Sequence, residues 1–380
     1  MAVVHSEVMS GAGSHGSDRT EGVVGRANER SLEEGARVVP SPGRRWRRNA
    51  LWGSAVAIGA VLLIVVVAAI GNHFRVEVEP VTIDLPDATL DGLLASPPEG
   101  DVEGLVVMVH GDGPVDADHA GFYLPWFEAA ADAGYATLSW AKPGVAGSSG
   151  NWLNQSMGDR ASEVSEVIDW AEGNLDVPTG QVVLWGASQA GWVMPTVVSD
   201  RRDVEALVAV GTAINWRRQG RFNLLAELEH EGAGESEVQE ATEQSDLLRA
   251  LMDRDAGYDE YLAETTEADP MSAQRWDFAK LNSGSDATAD LVALATEEIP
   301  VLLLVGRHDR NVDVEETEAV YLDALGDNLQ VEHVDSAHSM ARPVMEDNPL
   351  VGTAAAVLWP RWLFADGVLE EYREFLEGLG

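Results

Sequence analysis

Ser188 stands in WGASQAGW (Trp185–Trp192), immediately after the apolar run QVVL and before the apolar stretch WVMPTVV. A serine hydroxyl becomes a useful nucleophile only when a neighbouring base takes its proton. A tight turn from a buried strand into a helix would lift its oxygen above the strand ends, and the small neighbours Gly186, Ala190 and Gly191 suit such a turn. The base must be a histidine, and His338 in HVDSAHSM follows the apolar segment LQVEHV near the chain end. His333 lies inside that segment and reads as structural. His110 ends another apolar run directly before Gly111 and reads as a brace for the turn there. The acid is expected after the preceding strand, where VGRHDRNVD offers Asp309, with Asp313 as a second candidate; Asp335 lies too close to His338 in sequence to sit naturally behind its ring. Ser188, Asp309 and His338 then run nucleophile first and base last. The oxyanion formed on attack needs backbone donors from two segments: the N–H of Gln189 and that of Asp112 in HGDGP, His110–Pro114. The Asp112 carboxylate is awkward there, because it must turn away from developing negative charge.

Strands must bring these segments together. VTIDL (Val81–Leu85) and GLLAS (Gly92–Ser96) read as paired opening strands. GLVVMVH (Gly104–His110), YATLSW (Tyr135–Trp140), QVVLWG (Gln181–Gly186), ALVAVG (Ala206–Gly211) and VLLLVG (Val301–Gly306) are almost wholly apolar. Such runs, alternating with amphipathic stretches such as RASEVSEVIDWAEGNL, imply a mostly parallel sheet covered by helices on both faces. Residues 214–298 break the alternation with helical, acidic sequence, and are expected to form a cap. Its Trp216, Phe222, Trp276 and Phe278 favour a packed lid over a loose excursion.

The formal net charge is −39 and there is no cysteine, which excludes disulfides and thiolate chemistry. Residues 1–50 hold eight arginines against six acids, so the remainder carries −41; the only lysines are Lys142 and Lys280. This surface would repel nucleic acid, and suits high salt or a GC-rich origin. No HExxH string or ligand-spaced His/Asp cluster calls for a metal, and no cofactor is expected. Residues 1–50 read as a disordered cytoplasmic tail. The uncharged Leu51–Ile70, preceded by RRWRR, reads as an uncleaved signal anchor within 51–71 that places residues 76–380 outside the cytoplasm, tethered to the cell membrane.

Taken together, these strings resemble the α/β-hydrolase superfamily, in particular capped bacterial serine esterases and acyl-transferase-like members. HGDGP is similar to the family's oxyanion turn, WAKPGVAGSSGNW (Trp140–Trp152) to its loop after the fourth strand, and WGASQAGW to its nucleophile elbow. VGRHDRNVD and DSAHSM are similar to its acid and histidine loops, and the likeness covers about residues 78–379. Two positions depart from the pattern: Ala141 replaces a frequent Asp, and Ala190 replaces the second glycine of GxSxG. The resemblance implies cleavage of a small carboxylic ester through an acyl-enzyme on Ser188. Thioesters and amides could use the same parts, and a non-catalytic envelope-binding protein could be built on the same fold.

Overall fold

The computed structural model describes the backbone from Arg44 onward and side chains from Ile58; of the expected tail, residues 1–50, residues 1–43 lie outside the described residues and 44–50 open a helix. Helix α1 runs Arg44–Gly71. The expected membrane anchor does not hold, because among the described residues no helix is long and apolar enough to cross a membrane. The expected membrane partner, the signal-anchor topology and the extracytoplasmic placement of the body all rested on that span, and fall with it.

The body, Val67–Gly380, is built on one eight-stranded sheet. Its strands are β1 Glu77–Asp84, β2 Thr89–Ser96, β3 Gly104–Val109, β4 Tyr135–Trp140, β5 Val182–Ala187, β6 Val204–Val210, β7 Val301–Gly306 and β8 Leu329–Val334. They lie in the order β1-β2-β4-β3-β5-β6-β7-β8. β1 and β2 pair antiparallel, β2 also meets β4 antiparallel, and every pairing from β4 to β8 is parallel. Every residue of β3, β4 and β7 is buried, which is why these strands read as unbroken apolar runs.

The helices divide between the two faces. These are α2 Leu124–Asp132, α3 Met157–Asn174, α4 Met194–Asp200, then α5 Trp216–Glu231, α6 Glu235–Asp253, α7 Tyr258–Glu264, α8 Ala273–Asn282 and α9 Thr288–Leu294. After β7 come α10 Val314–Leu325, α11 Pro343–Asp347, α12 Pro349–Leu358 and α13 Val368–Glu377. Along β3, Leu105, Val107 and Val109 share one core with Val164 and Ile168 of α3, Val197 of α4 and Tyr321 of α10. The alternate residues Val106 and Met108 share the other with Trp126 of α2 and Tyr372 of α13. Burying each such side chain contributes about 1.5–3 kcal/mol, and the period of two along the strand assigns it to a face. Helix α3 starts at a capping box, with Ser156 Oγ accepting the Asp159 N–H and Asp159 reaching back to the Ser156 N–H.

Helices α5–α8 form the insertion, and α6–α8 share a core of their own around Leu251, Tyr261 and Trp276. Trp216, Trp276 and Phe278 are buried and Phe222 is half-buried. The insertion meets the sheet's own core through Trp216 of α5 and Phe278 of α8, as the following α9 does through Leu291 and Leu294. A bridge between Asn215 and Asp286 closes its base.

Candidate active site

The parallel strands β3, β5, β6 and β7 are neighbours, so the loops at their C-terminal ends converge on one edge of the sheet. Ser188 follows the last residue of β5 and has φ 51°, left-handed backbone unusual for a residue with a side chain. Such a conformation costs about 1–3 kcal/mol and persists only where its surroundings enforce it. Gly186 is one enforcing element. A Cβ there would lie 2.5 Å from Met194 Sδ and 2.6 Å from the Ala190 methyl. Ala190, fully buried, therefore fills space that Gly186 leaves open, which accounts for an alanine where the second glycine of GxSxG is usual. A Cβ on Gly191 would meet Thr212 Cβ at 2.7 Å, so the following turn also needs a glycine.

His338 Nδ1 lies 2.8 Å from Asp309 Oδ2, and the Asp309 side chain is fully buried. The other carboxylate oxygen accepts the backbone N–H groups of Asn311 (2.7 Å) and Val312 (2.8 Å). With the carboxylate as acceptor, the histidine proton sits on Nδ1 and Nε2 carries the free lone pair. Two backbone bonds hold the loops in register: Arg307 N–H to Val334 O at 2.8 Å and His308 N–H to Ser336 O at 3.0 Å. Gly211, at the end of β6, has φ +52°, and a Cβ there would lie 3.3 Å from His338 Nδ1. Burial pushes the His338 pKa down, but the Asp309 charge and hydrogen bond, with Glu346 adding, raise it above the ordinary imidazole value.

The other candidates are engaged elsewhere. Asp313 caps α10, accepting the N–H groups of Glu315 and Glu316 at 3.1 Å. Asp335 binds the exposed His308 at 2.7 Å, and His333 pairs with Glu318 at 2.9 Å. His110 is buried, stacks on Tyr123 and bonds the Trp140 carbonyl through Nε2. Burial, reinforced by the nearby Lys142 charge, pushes its pKa down to about 3, so the ring is neutral and braces the turn.

The turn after β3 lies against the Ser188 turn: a Cβ on Gly111 would be 3.5 Å from Ser188 Cβ. Two buried basic side chains take its carbonyl oxygens. Arg160 Nη2 donates to His110 O at 2.6 Å, and Lys142 Nζ donates to Gly111 O at 2.5 Å. Arg160 Nη1 also donates to Gln189 Oε1 at 2.6 Å, while Gln189 Nε2 donates to Asp112 Oδ1 at 3.2 Å. The Asp112 carboxylate turns to Arg275 of α8, which binds both of its oxygens. Burial pushes this carboxyl up, but the Arg275 charge and hydrogen bonds, with Lys142 helping, hold it below the usual range. The awkward anion of HGDGP is thus neutralised from the cap. None of Lys142, Arg160 or Arg275 was picked out by sequence reasoning. Lys142, as one of two lysines and set in an apolar stretch, carried the clearest hint.

The insertion also grips the acid loop. Gln219 of α5 donates to Asn311 O at 2.8 Å, and Asn223 donates to Arg310 O at 3.1 Å and to Asn311 Oδ1 at 2.8 Å.

Residues 100–338 match the family described as serine aminopeptidase, S33. No curated protein matches the chain. Similar solved structures include an esterase from Pyrococcus furiosus, at 18% identity over 76% of this chain and 92% of that one, with a TM-score of 0.47. Est1E from Butyrivibrio proteoclasticus, bound to ferulic acid, shares 15% identity over 78% of this chain and 96% of its own, with a TM-score of 0.48. A predicted CIB-like hydrolase from Thermoplasma acidophilum shares 14% identity over 80% and 99%, with a TM-score of 0.45.

Proposed function

The chain belongs to the serine aminopeptidase, S33, family, and we propose that it is a serine hydrolase whose acyl transfer is carried out by Ser188, His338 and Asp309. The observation that carries this reading is the 2.8 Å contact of His338 with a fully buried Asp309, on loops that converge with a left-handed Ser188. His338 Nε2 takes the Ser188 hydroxyl proton as Oγ bonds to the substrate carbonyl carbon. The oxyanion that results accepts the backbone N–H groups of Asp112 and Gln189. Collapse of the tetrahedral species breaks the bond to the alkoxide, which leaves with the proton from His338. Water, deprotonated by the same nitrogen, then attacks the acyl-enzyme and releases the acid and free Ser188. No step requires a metal or cofactor.

A carboxylic ester is the substrate we propose, since an alkoxide departs more readily than an amine and needs less exact protonation. The insertion α5–α8, which binds both the oxyanion turn and the acid loop, is the element that would shape the acyl pocket. The test is a panel of p-nitrophenyl acyl esters beside acyl thioesters and aminoacyl p-nitroanilides, with Ser188→Ala as control. Ester kcat/KM should exceed the anilide value by orders of magnitude. Preference for the aminoacyl anilides would make the protein a peptidase with the same triad.

A further inference from the structure

Asp112 presents two problems for an oxyanion donor: its peptide must face the right way, and its carboxylate must not oppose the negative charge it helps to stabilise. We infer that Lys142 and Arg275 are positioning residues that solve these two problems, Lys142 by fixing the Gly111–Asp112 peptide and Arg275 by neutralising and drawing aside the Asp112 carboxylate. The inference rests on the Ser188 reading above and deepens it.

A trans peptide is planar, with its C=O and N–H on opposite sides. Lys142 Nζ holds the Gly111 oxygen, so the Asp112 N–H of that same peptide faces away from the lysine. Among the described residues this N–H donates to no acceptor, on a turn packed against the Ser188 elbow. A free amide beside a nucleophile, with its partner carbonyl tied down by a buried amine donor, is a preorganised donor. Arg160 holds the preceding carbonyl, of His110, in the same manner.

Both side chains are seated for this work. Lys142 is 3% exposed, and its ammonium lies 4.9 Å from the centre of the Trp152 ring. The Arg275 guanidinium lies 5.7 Å from that ring and 4.9 Å from Phe278, with both of its terminal nitrogens turned to Asp112. Without Arg275, an anion would remain on the residue whose amide must bind an anion. Arg275 comes from α8, so the insertion supplies part of the oxyanion machinery as well as a lid.

An oxyanion contact forms only in the transition state, so its loss lowers kcat and leaves KM nearly unchanged. The experiment is steady-state hydrolysis of one p-nitrophenyl ester by the full chain, with melting curves for every variant. Lys142→Met should lower kcat about 100-fold, the effect of losing one oxyanion donor, with KM within about threefold. Arg275→Met should lower kcat about tenfold, as for a misplaced charge worth roughly 1.4 kcal/mol. Adding Asp112→Asn to Arg275→Met should restore most of that loss, because the uncompensated charge disappears; a merely structural Arg275 would give no such rescue. Wild-type kcat in folded Lys142→Met, or a loss confined to KM, overturns the inference. Should Lys142→Met not fold, the Arg275 pair decides: no loss in Arg275→Met, or no rescue by Asp112→Asn, overturns it. Turnover surviving in Ser188→Ala would bring down the parent reading, whereas an inactive Ser188→Ala beside normal Lys142 and Arg275 variants would bring down this inference alone.

Discussion

At the scale of single residues, the proposed mechanism makes the pair His338–Asp309 govern both the rate and its pH dependence. Only neutral imidazole can accept the Ser188 proton, and the Asp309 carboxylate favours the imidazolium. The acid limb of kcat/KM should therefore fall above the ordinary histidine value of 6.5. Asp309→Asn removes the charge that raises it, so the limb should move to lower pH while the rate drops about 10⁴-fold. A limb that stayed in place on Asp309→Asn would contradict this electrostatic coupling. His338→Ala should cost about 10⁴–10⁶-fold in kcat, and combining it with Asp309→Asn should cost little more. At this scale the sequence was informative about groups and silent about partners. The order Ser188, Asp309, His338 could be read from loops after apolar runs. That Asp112 would be drawn to Arg275, 163 positions away, could not, since nothing local encodes a contact made through the insertion.

At the scale of elements, the elbow shows how a departure from a motif is absorbed. Ala190 occupies the space that would otherwise receive a side chain at position 186. Gly186→Ala should then destabilise the body by about 1–3 kcal/mol through overpacking, and lower activity by displacing Ser188. Because the rigid part of that clash is the Ala190 methyl, Gly186→Ala with Ala190→Gly should recover much of the stability in a melting experiment. Failure to recover would place the strain in Met194 or the backbone instead. The strands were legible because β3, β4 and β7 are buried throughout and so are apolar throughout. The insertion's packing was not: nothing in the helical pattern tells that Trp216 and Phe278 join the sheet's core while Leu251, Tyr261 and Trp276 form a core of their own. The anchor was expected from the apolar composition of Leu51–Ile70, and among the described residues no helix is long and apolar enough to cross a membrane.

At the scale of the whole molecule, a net charge of −39 opposes the compact state. Exposed pairs such as Arg254 with Glu260 and Glu264 return little, because solvent screens them. Molar NaCl should therefore raise the melting temperature by about 2–4 °C or more, the shift expected for each kcal/mol in a body of this size. A melting temperature unmoved by salt would mean that the arginine pairs already balance the repulsion. The central claim is that Ser188 becomes covalently acylated, and the mass of the intact protein after treatment with a fluorophosphonate tests it most directly. The account predicts one adduct per chain, mapped to Ser188 by peptide mass, lost in Ser188→Ala and slowed in His338→Ala. An active, unlabelled protein, or an adduct on any other residue with activity abolished, would contradict it.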